Sequence, residues 1–243
     1  MPIDRLSIAG PDEAVRPQEL AELSDRYPFV EWSILYGHPI EPLRRFPTVA
    51  WIRELTEISA ERARTTGSPL RLSLHLCGAA VASLIRDERD GLTEILPLIP
   101  SFQRIQLNVN YRKVEAALPT LPRVLRKLRP APQFIVQLNG KAINEEVGET
   151  LRANGLDVAL LYDASGGQGI TPERWQAPQG DYCGYAGGLS LANIEAQIPL
   201  IREAAGSARV YLDLEAGARD AQDRFDMDAV KLLLEIVAPH IDA

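Results

Sequence analysis

Apolar residues along this chain keep two alternating rhythms. Short runs with every second position apolar give way to longer stretches in which apolar residues recur every three or four positions. A period of two predicts strands and a period near 3.6 predicts helices. Strands are expected near 5–9, 29–36, 70–77, 103–109, 133–139, 157–163, 182–187 and 209–215. Helices are expected around 17–26, 47–66, 79–89, 113–128, 142–153, 191–204 and 226–238, with only a short helical turn at 171–177. Proline and glycine mark the joints, as in RTTGSPL before the third strand and LRPAPQ before the fifth.

Strand and helix in strict alternation imply a parallel sheet with right-handed crossovers. Central strands of an open parallel sheet lie under helices on both faces and read as apolar throughout. Here they do not. QRIQLNVN sets Ile105, Leu107 and Val109 against Gln106, Asn108 and Asn110, and LRLSLHLC sets four leucines against Arg71, Ser73, His75 and Cys77. Gln137 and Asn139 share a face of the fifth strand, Asp213 and Glu215 a face of the eighth. In a closed barrel the apolar face meets the helices, and the polar face points inward, toward the mouth at the strands' C-terminal ends. The pattern therefore predicts a (β/α)8 TIM barrel, one α/β domain over residues 1–243. Gln137, Asn139 and Asn108 become candidates to face a ligand.

Composition narrows the setting. Of 243 residues, 46% are hydrophobic and 24% charged, an ordinary balance for a chain with a core. A net charge of −7 argues against nucleic acid as partner. No apolar run approaches the roughly 18–20 residues of a membrane span, and the opening MPIDRLSIAGPDE is unlike a signal peptide. Two cysteines, Cys77 and Cys183, cannot frame a disulfide scaffold. A cytoplasmic protein without a cofactor and without a resident metal is expected, its partner a small anionic or phosphorylated metabolite.

One stretch carries the sharpest chemical signal. In LDVALLYDASGGQG an apolar strand ends on Asp163, and Gly166, Gly167 and Gly169 follow almost at once. Such a strand end aims the acid into the mouth, and glycines let the next loop close over a substrate. Three pieces in order, LLYDASGGQG (160–169), GYAGGLSLANI (184–194) and VYLDLEAGARDAQDRFD (210–226), resemble phosphoribosylanthranilate isomerase, a (β/α)8 enzyme. FIVQLNG (134–140) is similar to the family's VQLHG strand, with Asn139 in place of the usual histidine.

The resemblance implies that Asp163 is the general acid. It also implies a phosphate cradle at Gly187, Gly188 and Gly217, where glycine removes the side chain that would block an anion. Ser190 is an added donor and Arg219 a compensating charge, because Asp213 and Glu215 work against a phosphate and the turn reads EAGAR where the family offers serines. One departure is decisive. The family's first strand reads roughly KICG, with the cysteine as general base, whereas this chain reads SIAG and places Ala9 there. A methyl group accepts no proton, so ordinary phosphoribosylanthranilate isomerase activity is not expected. Replacement bases are His75 and Cys77 on the inward face of strand three, and Glu215 at the end of strand eight, beside strand one in a closed barrel. The leading function is an isomerase-like acid–base enzyme. A noncatalytic binding or regulatory barrel stays open, as does a divalent-metal lyase or aldolase built on His75, Asp163, Asp213 and Glu215.

Overall fold

A computed structural model describes residues 3–37, 45–109, 114–163, 165 and 168–242. Eight parallel strands close on themselves in sequence order: β1 (Ile3–Ala9), β2 (Val30–Gly37), β3 (Leu72–Cys77), β4 (Arg104–Leu107), β5 (Gln133–Leu138), β6 (Val158–Asp163), β7 (Tyr182–Ala186) and β8 (Arg209–Leu214). The seam between β8 and β1 is paired through Leu6–Leu212, Ser7–Asp213 and Ile8–Leu214. This is the (β/α)8 TIM barrel that the alternation predicts.

Helices form where apolar spacing and end signals coincide. The helix Val49–Thr66 starts at Thr48, whose hydroxyl accepts from the amide of Trp51 (3.2 Å), and stops at Gly67 in the left-handed region (φ 74°). The helix Met227–Val237 is capped by Asp226, which accepts from the amides of Asp228 and Ala229. Their apolar faces meet the outward leucines and isoleucines of the strands, among them Leu72, Leu74, Leu76, Ile105 and Leu107, in one continuous core.

Two expectations of helix are corrected. Among the described residues of this span, 115–128 hold a 3-10 turn at Glu115–Ala117 and a short helix at Leu121–Leu125 in place of one long helix. Pro119 and Pro122 lack the amide a longer helix needs. Residues 171–177 form no helical turn. Tyrosines from the barrel hold this stretch and the residues after it: Tyr185 donates to the Gln176 carbonyl (2.6 Å), and the Gln179 amide donates to the Tyr162 hydroxyl (2.6 Å). Trp175 lies edge-on to Tyr185 and bonds Gln197.

The barrel interior is divided. On the β5–β8 side Ile135, Ala159, Leu161, Ala186 and Tyr211 form a second, smaller apolar cluster. A side chain at Gly184 would overlap the Tyr211 ring, which fills that space. On the β1–β4 side the lining is polar and charged. Glu31 is fully buried between Arg104 (2.7 Å) and Arg5 (2.9 Å), and the Arg104 guanidinium lies 4.0 Å over the Tyr211 ring. Arg5 also pairs with Asp4 (3.2 Å), so two cations meet two carboxylates, as burial requires.

The two ends of the described chain meet below the barrel. The Ile3 amide donates to the Asp242 carboxylate and the Asp242 amide to the Ile3 carbonyl, both at 3.1 Å. Arg202 also holds Asp242 (3.2 Å). Among the described residues no helix is long and apolar enough to cross a membrane.

Candidate functional site

A cavity of about 300 Å³ opens among the C-terminal ends of the strands, at the small end of the usual ligand-site range. Strand geometry puts alternate residues on its wall. His75 comes from β3, Gln106 and Asn108 from β4 and the residue beyond it, Gln137 from β5, Asp163 from β6, and Asp213 and Glu215 from the end of β8. Gly187, Gly188 and Gly217 line the same space. Most residues singled out from sequence thus converge on one point.

Asp163 is buried and serves as acceptor. The Gln137 side-chain amide donates to one oxygen (2.5 Å), and the Ser165 amide (3.1 Å) and hydroxyl (2.6 Å) donate to the other. Of the glycines expected to follow it, Gly169 reaches the cavity; Gly166 and Gly167 lie outside the described residues, as do His38, Asn110 and Tyr111.

Asp213 lies two strands away, beyond β7, in a different environment. Ser7 donates to it at 2.5 Å and in turn shares a hydrogen bond with Ser33 (2.7 Å). Burial pushes its carboxyl up to about 7; the Ser7 bond opposes that shift and the Glu31 charge adds to it. The Ser7–Ser33 pair rotates to suit either charge state. It donates toward an ionised Asp213 and accepts from a protonated one. Ser7 lies two residues before Ala9 on the same inward face of β1, so Asp213 reaches the wall that carries Ala9.

The other nominated bases are differently placed. Burial, reinforced by the Arg104 charge, drops His75 to about 3, so its imidazole is neutral at physiological pH. Its Nε2 has no partner among the described residues, and neither does Gln106 Oε1. Burial raises the Cys77 thiol to about 11, against a hydrogen bond from Asn108 (3.1 Å). Cys77 stands beside the cavity rather than on its wall. Glu215 lies near Gly10, as closure of the barrel requires, and is paired with Arg45.

Three of the nominated residues serve the scaffold instead. Arg219 is buried and ties the loops after β1 and β8 together, through the Gly10 carbonyl (2.7 Å), Asp12 (2.9 Å) and Asp223 (2.8 Å). Asn139 accepts from Asn144 (2.9 Å) at the start of the next helix. Ser190 pairs in a bridge with Gly217, and its amide donates to Asn193. The set His75, Asp163, Asp213 and Glu215 does not form a metal centre: among the described residues no group of three or more His, Cys, Asp or Glu is arranged to hold an ion.

Sequence reasoning missed Arg45 and Ser165, left Gln106 without a role, and gave Asp213 one only as a ligand in the metal alternative. Arg45 lies on the cavity wall, held by Glu215 and Asp223. It precedes the second helix in a stretch without periodicity, so no pattern pointed to it. Asp213 was legible as an inward acid, but its burial, the opposing Ser7 bond and the added Glu31 charge come from strands far away in sequence.

Neither a family model nor a curated protein matches the sequence. Solved structures do match in shape. Phosphoribosylanthranilate isomerase from Thermus thermophilus superposes with a TM-score of 0.58 at 16% identity, covering 97% of this chain and 98% of that one. A ribulose-1,5-bisphosphate carboxylase/oxygenase from Pyrococcus horikoshii gives 0.55 at 10%, covering 99% of this chain and 59% of that one. IolI protein, solved with a bound zinc atom, gives 0.52 at 11%, covering 98% and 100%. At such identities the likeness speaks of fold alone, and in fold this chain is a (β/α)8 barrel like that of phosphoribosylanthranilate isomerase.

Proposed function

We propose that the protein is an isomerase-type acid–base enzyme that moves a proton between neighbouring carbons of a small hydroxycarbonyl metabolite in the barrel mouth. The observation that carries this reading is the pair of carboxyl groups on one cavity wall, two strands apart and in unlike environments. Asp163 is fixed by donors from Gln137 and Ser165, while Asp213 is desolvated and poised near neutrality. Carboxyl groups with environments this different divide acid and base roles between them. A base that titrates near the working pH is the efficient one, so Asp213 takes the carbon-bound proton and Asp163 handles the oxygen.

Proton removal from carbon is visible without knowing the product. Aldoses and ketoses incubated with the protein in deuterium oxide are expected to take up deuterium beside the carbonyl, read by proton NMR. Asp163→Asn and Asp213→Asn each keep the side-chain shape and should slow that uptake by roughly 10²-fold or more. Uptake at the wild-type rate by both folded variants, or no uptake by the wild type, overturns the reading.

A further inference from the structure

The loops after β7 and β8 are where barrels of this kind commonly bind phosphate, with help from the N-terminus of a short extra helix. Here that space is used otherwise. At Gly188 (φ 59°) an added methyl would overlap the Thr171 amide and hydroxyl, and at Gly217 it would overlap the Leu189 carbonyl. These glycines let protein backbone pack against protein backbone. Asn193 locks the arrangement by donating to the Gly188 carbonyl (2.8 Å) and to Thr171 (3.1 Å). Residues 215–226, all of them described, hold no helix between β8 and Met227.

The charge of the wall points the same way. Among the described residues three carboxyl groups, Asp163, Asp213 and Glu215, face the cavity against one cation, Arg45, which Glu215 and Asp223 already hold. A phosphate dianion brought within a few ångströms of these acids is repelled. The deep polar atoms ask for something else. His75 is 2% exposed and Gln106 5%, yet His75 Nε2 and Gln106 Oε1 are unpartnered on the cavity floor. A buried polar atom left without a partner costs about 1–3 kcal/mol, and a hydroxyl group, both donor and acceptor, satisfies either one. Opposite them Leu161 and Ala186 offer an apolar wall to a C–H face.

We infer that this cavity takes an unphosphorylated polyhydroxy compound, neutral or bearing an amine, and not a phosphate ester. The inference rests on the same cavity being the active site proposed above. Calorimetric titration of the intact protein with D-ribose, D-glucosamine, D-ribose 5-phosphate and inorganic phosphate, at low salt, tests it. Ribose or glucosamine is expected to bind at least tenfold more tightly than ribose 5-phosphate, and a preference for glucosamine identifies the amine. Gln106→Leu should weaken that binding about tenfold or more while the variant stays folded by circular dichroism. Tenfold tighter binding of ribose 5-phosphate or phosphate overturns the inference, as does failure of every probe to bind below about 10 mM. The two readings fail separately. Deuterium uptake into a bound phosphate ester would remove the substrate class and leave the acid–base chemistry, whereas a bound ribose that never exchanges would do the reverse.

Discussion

Asp213 couples the site to pH through stability as well as through chemistry. Its folded carboxyl titrates near 7 because it is buried, against about 3.9 for an unfolded aspartate. Between those values the folded chain holds the extra proton. Its contribution to stability is therefore fully present below about pH 4 and is lost as pH rises through 7. Urea unfolding at pH 5 and at pH 8 should show the wild type less stable at the higher pH by an amount on the order of a few kcal/mol. Asp213→Asn should remove most of that difference, and an unchanged pH slope in the variant would refute the assignment. At this scale the sequence was partly readable. Asp163 stands out because it ends an apolar run before glycines. Asp213 is only one more inward acid until Ser7, Ser33 and Glu31 are seen around it.

Among elements, β7 and β8 show how tightly one strand's composition depends on its neighbour. Gly184 on β7 pairs with Tyr211 on β8, and the tyrosine ring occupies the volume that a side chain at 184 would need. Arg104 lies 4.0 Å over that ring and Tyr182 packs against it, so the ring is held from several sides. Gly184→Ala should cost about 1–3 kcal/mol in chemical denaturation, the usual penalty for overpacking; a change below a few tenths would show that the interior yields. The strands were legible because period-two alternation survives in every one whose inner face is polar, as in Ser73 and His75 or Gln106 and Asn108. The failures have local causes. Pro119 and Pro122 broke an otherwise helical pattern, and the stretch 171–179 bonds to side chains of other elements, with Gln176 and Gln179 held by tyrosines. The glycines at 188 and 217 read equally well as an anion cradle or as a close backbone contact, since both need the same missing side chain.

At the scale of the whole molecule, closure was foreshadowed by polar inner faces that an open sheet would have left buried under helices. The clasp between residues 3 and 242 was not, since nothing in the pattern pairs them. That clasp means the eight units form a ring, and the covalent order around it can be rotated. A circular permutant that joins residue 242 to residue 3 through a short glycine–serine linker, and opens the chain within the exposed turn at 86–90, should fold to the same barrel with a Tm within several degrees of the parent. Near-ultraviolet circular dichroism and a thermal melt would report it, and a permutant without fixed tertiary signal would show that the β8–β1 seam needs its natural connectivity. Neighbour relations around the ring, rather than the order in which the strands are synthesised, then define the unit that folds.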